Sequence, residues 1–203
     1  MKKILVIDAC VRREASRTKK LLDHALEVLG AAHTDWEFQI LNLMDMDLKY
    51  WNTESLKRRD ALLAAGRRDD PLFDLGNQFR MADGIVVAAP FWDLSVPAVL
   101  KVYIENISAD GITFGSGPEG LYGLCRGEWM LFLTTRGGIW EGSDMEQGSP
   151  YMESLCKFFG IDRYACVSAD GIDIVGLDHE KIMAKAMEDV ETACRELTRQ
   201  PAR

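Results

Sequence analysis

The chain is poor in the groups that build metal centres and disulfide frameworks. Its 203 residues include five cysteines and three histidines, and neither set is clustered. Cys10, Cys125, Cys156, Cys166 and Cys194 contain no CxxC pair, so buried reduced thiols are expected rather than disulfides or a zinc site. His24, His33 and His179 are equally dispersed, and no metal ligands are assigned. No Ser/His/Asp or Cys/His arrangement is readable, and no side chain is assigned as catalytic. Long apolar runs are missing too: Met1-Lys2-Lys3 leads into a strand of five or six residues, not a signal segment or a membrane span. An unprocessed, cytoplasmic chain without membrane contact is the expectation. Positive charge is scarce, 24 Lys and Arg against 32 Asp and Glu, and the net charge of −8 argues against non-specific nucleic-acid binding. The segment after the first strand has no glycine, which excludes the GxGxxG dinucleotide loop, and no GK[ST] follows, which excludes a Walker loop.

What is present is an alternation of apolar runs with helical patterns. With 47% hydrophobic and 28% charged residues, residues 1–203 suit one globular α/β domain. Strands are expected at Lys3–Asp8, Trp36–Leu41, Gly84–Ala88, Trp129–Thr134 and Tyr164–Ser168. Helices are expected at Ser16–Gly30, Asn52–Ala65, Pro71–Met81, Val96–Ile107, Tyr151–Phe159 and Asp178–Leu197, with Arg199–Arg203 frayed. Five strands separated by helices give a doubly wound parallel sheet in the order 2-1-3-4-5, a three-layer αβα arrangement. Two long excursions interrupt it, 42–83 and 108–127. The second holds six glycines and a proline, and reads as a long loop or irregular hairpin.

Three loops then share the carboxyl edge of the sheet, where open α/β sheets bind ligands. The first, Ala9 to Lys20, ends at Ser16, placed to cap a helix whose free N–H groups favour an anion. Five of the ten residues from Val11 to Lys20 are Arg or Lys in an otherwise acidic chain, which suits a phosphate. Taken alone, the same residues also describe a capped and solvated first turn. The second loop, Ala89-Pro90-Phe91-Trp92-Asp93-Leu94-Ser95-Val96-Pro97, joins a buried strand to a helix through aromatics and prolines. The third, Thr134-Thr135-Arg136-Gly137-Gly138-Ile139-Trp140, pairs glycines that let backbone approach a flat ligand closely, though Gly-Gly is also a common turn. Together the loops suit a flat ring carrying one phosphate, and a glycine-free, hydroxyl-bearing phosphate loop points to flavin mononucleotide (FMN).

Pro90-Phe91-Trp92-Asp93 with Val96-Pro97-Ala98-Val99-Leu100-Lys101, Thr135-Arg136-Gly137-Gly138, Ser16-Arg17-Thr18 and Gly111-Ile112-Thr113-Phe114 resemble motifs of one family, the flavodoxin-like NAD(P)H quinone reductases and FMN-dependent NADH-azoreductases. The resemblance extends over most of residues 1–175. It implies a flavodoxin-like fold and bound FMN, with the phosphate on Ser16, Arg17 and Thr18. Cys10 stands where a serine is common and offers backbone contact. The ring would lie along Pro90, Phe91, Trp92, Asp93 and Leu94 and against Thr135, Arg136, Gly137 and Gly138. Backbone N–H groups from Trp92 to Leu94 would face its N5 and O4 region, and Trp92, Phe114 and Trp140 would wall the substrate pocket. It further implies hydride transfer from NAD(P)H through flavin N5 to a quinone, azo or nitroaromatic acceptor by a ping-pong sequence, in a homodimer. Two other readings hold the same loops: an FMN electron carrier like a flavodoxin, and a relative that binds a ligand without flavin.

Overall fold

The computed structural model describes residues 1–199. Strands β1 (Lys3–Asp8), β2 (Glu37–Asn42), β3 (Gly84–Ala88), β6 (Trp129–Arg136) and β7 (Arg163–Asp170) form a parallel sheet in the order β2-β1-β3-β6-β7. The 108–127 excursion contains two further strands, β4 (Phe114–Gly117) and β5 (Gly120–Gly123), paired antiparallel outside the sheet. The expected order 2-1-3-4-5 therefore needs correction in its numbering: the last two parallel strands are the sixth and seventh of the chain. Of the two expectations for this segment, long loop or irregular hairpin, the structure shows the hairpin; four-residue strands made half of glycine carry almost no apolar alternation, which is why their bounds are not readable from the sequence.

The helices are α1 (Arg17–Ala32), α2 (Thr53–Ala64), α3 (Asp74–Met81), α4 (Ala98–Ile107), α5 (Gly148–Phe159) and α6 (His179–Thr198). Side chains of a strand alternate between faces, and the sheet sorts accordingly. Ile4, Val6, Val86, Leu131 and Leu133 pack under α1 and α6. Leu5, Ile7, Val87, Met130 and Phe132 pack under α3, α4 and α5. Helix α6 ends at Thr198, and the Arg199 carbonyl accepts a hydrogen bond from Arg163 Nη1 at 3.0 Å; the rest of the segment expected to fray, residues 200–203, lies outside the described residues. Among the described residues no helix is long and apolar enough to cross a membrane.

Several boundaries differ from the sequence reading, and three of them bear on the site. α5 begins at Gly148, three residues before Tyr151, because the Glu146 carboxylate accepts from the N–H groups of Gly148 (2.8 Å) and Ser149 (2.9 Å). Pro150 then sits inside the first turn, where a missing N–H leaves nothing unpaired. β6 and β7 each run two residues past their expected ends, and this extension pairs Arg136 with Asp170.

Two outcomes are expected from the packing. A Cβ on Gly123 would lie 2.0 Å from the backbone of Phe159 and Gly160, so Gly123→Ala forces the hairpin off the end of α5. It should lower stability by about 1–3 kcal/mol in urea denaturation, the usual range for overpacking. Burial raises the thiols of Cys125, Cys156 and Cys194 from 9.0 to about 12, and that of Cys166 to about 11. The unfolded chain releases these protons near pH 9 while the folded chain retains them, so this contribution to stability is complete below pH 9. The urea midpoint should fall progressively between pH 9 and 12, and less steeply after Cys156→Ala corrected for its cavity.

Candidate functional site

The loops that leave β1, β3, β6 and β7 meet at the carboxyl edge of the sheet and enclose a cavity of about 100 Å³. The first loop is braced from within. Cys10 N donates to Asp8 Oδ1 (2.9 Å), and Arg13 N donates to the Cys10 carbonyl (2.8 Å). Arg13, at φ 51°, reaches across to Asp45 Oδ1 (2.6 Å) and the Met44 carbonyl (3.1 Å). That brace delivers Ser16 to the start of α1, where its Oγ accepts from Lys19 N at 3.3 Å. The N–H groups of Arg17 and Thr18 open the helix without intrahelical acceptors, so partial positive charge collects beside Ser16. Arg12, Ser16 and Arg17 line this side of the cavity.

The second loop makes the aromatic side. Phe91 N donates to the Thr135 carbonyl (3.1 Å), tying this loop to the third. Trp92 and Ser95 exchange both backbone hydrogen bonds, at 3.1 and 2.8 Å, around a two-residue turn. Asp93 and Leu94 in that turn hold left-handed φ values of 48° and 65°. Asp tolerates that conformation; Leu does not, and such residues cost on the order of 1–3 kcal/mol and cluster where strain serves a site. The geometry turns the N–H groups of Asp93 and Leu94 away from the turn's own hydrogen bonds, so two adjacent donors remain. The third loop completes the wall. Thr135 Oγ1 lies 2.6 Å from Thr18 Oγ1, and a Cβ on Gly137 would meet Asp173 Oδ2 at 2.6 Å, so a side chain there would displace the Asp173 carboxylate.

Of the residues singled out from the sequence, the structure brings Ser16, Arg17, Pro90, Phe91, Trp92, Thr135 and Gly137 to one cavity. Asp93 and Leu94 sit exposed on its rim. Several expectations require correction. The Cys10 thiol is 2% exposed and points to the Ala88 carbonyl, 3.8 Å away, while its N–H and carbonyl are both engaged inside the loop. Burial, reinforced by Asp8, pushes that thiol far up, so it remains a neutral filler and offers a ligand nothing. Thr18 is fully buried and its hydroxyl belongs to Thr135, so only its N–H remains at the open start of α1. Trp92 N is engaged by Ser95, leaving the N–H donors at 93 and 94 alone. Gly138 accepts from Gly171 N at 2.9 Å and backs Trp140. Trp140 packs behind Phe91 at 5.5 Å between ring centres, not on the cavity itself. Arg136 is 3% exposed and points into the protein. Phe114 stacks on Phe158 at 4.5 Å, near the far end of α5 and about 15 Å along that helix from its start beside Phe91.

A fourth wall escaped the sequence reading. Ile172 and Asp173, just past β7, line the cavity, and Arg17 is turned toward them: Nη1 donates to the Ile172 carbonyl (2.6 Å) and Nη2 to Asp173 Oδ1 (2.7 Å). The signal was available in Gly171, which has φ 81° and ends the last strand at the same sheet edge. Among the described residues, no group of His, Cys, Asp and Glu could hold a metal ion.

A family model described as flavodoxin-like fold matches residues 2–193. The chain is 33% identical over 200 residues to FMN-dependent NADH:quinone oxidoreductase 2 of Clostridium acetobutylicum, covering 97% of this chain and 100% of that protein. It is 31% identical over 195 residues to the FMN-dependent NADH:quinone oxidoreductase of Caldicellulosiruptor saccharolyticus, covering 94% and 97%. Among solved structures, an azoreductase from Bacillus anthracis superposes with a TM-score of 0.87 at 26% identity, over 97% of this chain and 100% of that one. A Bacillus anthracis FMN-dependent NADH-azoreductase in complex with FMN gives 0.86 at 26%, over 98% and 100%.

Asp173 places a carboxylate against a cavity wall otherwise lined by Arg12, Arg17 and the start of α1. Asp173→Asn should therefore tighten binding of inorganic phosphate about threefold, the scale of one exposed charge, measured by isothermal titration calorimetry.

Proposed function

We propose that this chain, which belongs to the flavodoxin-like-fold family, is an FMN-dependent NADH oxidoreductase that delivers electrons to quinone, azo or nitroaromatic acceptors, donor and acceptor using one site in turn. The observation that carries the reading is the junction of two unlike surfaces: an anion cavity at the start of α1 opens directly onto Phe91, Trp92 and the free N–H pair of Asp93 and Leu94. The residues fit the cofactor part by part. Ser16, Arg12 and the N–H groups of Arg17 and Thr18 suit a phosphate, by hydrogen bonding and by the positive end of the helix. The cavity, about 100 Å³, admits that end only, so the ring would lie on the open rim beyond it. Phe91 and Trp92 supply an apolar face there, the glycine at 137 keeps the opposite wall low, and the two rim donors suit ring carbonyl or nitrogen acceptors.

When bound, FMN supplies the redox chemistry, and the protein supplies orientation and electrostatics. Ser16 and the helix start fix one end of the cofactor. The strained turn at Asp93 and Leu94 aims fixed dipoles at the other, which need no reorganisation during reaction. The aromatic side chains exclude water from the stacking face. No side chain is required as nucleophile, in accord with the absence of any such constellation from the sequence. A cytoplasmic homodimer is part of the proposal: Trp92, Leu94, Ile139 and Met145 are 40–67% exposed around the rim, and a second copy would cover them.

The test is reconstitution with FMN followed by steady-state NADH oxidation with quinone, azo and nitro acceptors. Parallel double-reciprocal lines are expected, and holoprotein that oxidises no NADH yet accepts electrons from a reductase would establish the carrier reading instead. Ser16→Ala with Arg17→Glu should raise the FMN dissociation constant at least tenfold with little change in riboflavin affinity or in urea midpoint. Equal FMN affinity for variant and parent would remove the phosphate assignment.

A further inference from the structure

We infer that Arg136 is a positioning residue: one buried guanidinium holds both ends of the loop that backs the aromatic wall, and the protein binds a flat ligand through that loop's placement, not through a contact from Arg136. Arg136 Nη1 lies 3.3 Å from Asp170 Oδ1, and Nη2 lies 3.0 Å from Ser149 Oγ and 3.4 Å from Glu146 Oε2. Each carboxylate has a second task. Asp170 Oδ2 accepts from the N–H groups of Trp140 (2.9 Å) and Glu141 (3.0 Å), which begin the 137–147 loop. Glu146 Oε1 accepts from Gly148 and Ser149 at the start of α5, which ends it. The guanidinium also lies 5.7 Å from the centre of the Phe91 ring, within cation–π range, and Phe91 in turn carries Trp140.

The cluster has a shape that a single salt bridge lacks. Two carboxylates are held apart by one cation, and each turns its outer oxygen toward backbone N–H groups of a different segment. Removing the guanidinium therefore unpairs both carboxylates at once and releases Trp140 and Glu141 along with the start of α5. Asp170 is reached through the backbone extension of β7 beside β6, so strand register and loop position are coupled through this one side chain. Nε of Arg136 is buried without a partner, so the guanidinium's bonds within the cluster run through Nη1 and Nη2 alone.

The consequence for binding rests on the functional reading above, but the latch itself is testable without any cofactor. In the cofactor-free protein, amide hydrogen exchange should show Trp140 and Glu141 protected, and deprotected in Arg136→Met and in Asp170→Ala. In both variants the dissociation constants of FMN and of riboflavin should rise together, about tenfold, because a wall is lost and not a phosphate contact. The double variant should be no worse than either single variant, as expected for groups acting as one unit. The visible circular dichroism of bound FMN should change in both. It should be unchanged in Phe79→Leu, a buried core variant packed on Phe159 at the end of α5, compared at equal loss of stability. If Arg136→Met does not fold, Asp170→Ala retains the guanidinium and carries the same readouts. Undiminished protection at Trp140 and Glu141 in Asp170→Ala, or FMN loss in Arg136→Met with parental affinity in Asp170→Ala, would overturn the proposal. If the parent binds no FMN, the exchange measurements still decide the latch, and the failure falls on the functional reading alone.

Discussion

A parallel sheet buried on both faces can be crossed only by connections that return to the other end, and everything at the site follows from that constraint. β1, β3 and β6 are buried along almost their whole length, so each must be followed by a segment long enough to cover a face and come back. Their carboxyl ends then lie side by side, and the segments leaving them are brought within hydrogen-bonding reach. Phe91 N to the Thr135 carbonyl and Thr18 to Thr135 are the direct results. The site is a by-product of crossover geometry, furnished by whatever residues the loops carry.

Charge is distributed against the overall balance of the chain. A protein of net charge −8 gathers Arg12 and Arg17 at a helix start and then tempers them with Asp173. The buried cluster inverts the pattern, with two carboxylates around Arg136. Breaking a buried pair by removing one partner costs roughly 3–5 kcal/mol, since the remaining charge is left unpaired in a poorly solvated place. The exposed Arg17–Asp173 pair carries no such weight, its side chains being 36% and 65% exposed, and pairs of that kind contribute about 0–1 kcal/mol. The buried cluster therefore carries weight in the architecture of the wall, while the exposed pair contributes little to it.

The alternation of apolar runs and amphipathic segments was enough to read the five parallel strands and the helices that cover them, because burial on two faces leaves a strong mark on composition. Boundaries were less legible where local and tertiary signals compete. Pro150 suggested a later start for α5, but Glu146 caps the helix earlier. The strand bounds of the β4–β5 hairpin are masked by its glycines. At the site, Ser16, Phe91, Trp92 and Gly137 could be read because residue type and position after a strand both point to a ligand. Phe114 could not be placed, since an aromatic residue in a long loop carries no record of which end of the sheet it reaches. Asp173 was missed because the one local signal, Gly171 closing the last strand two residues earlier, marks a turn at the sheet edge and not which side chain beyond it lines the cavity.

The sequence by itself determined the sheet, its order along the crossovers, and the three loops that bear a hydroxyl cap, an aromatic run and a glycine pair, because these depend on periodicity and on backbone preferences encoded within a few residues. Only the tertiary structure decided which way the side chains of those loops turn. Cys10, Thr18 and Arg136 occupy the same short motifs as true lining residues, yet they face inward. Their orientation is set by partners at Ala88, Thr135, Glu146 and Asp170, up to 117 residues away in the chain. A side chain's direction is fixed by the strongest partner within reach, and reach is a property of the folded chain.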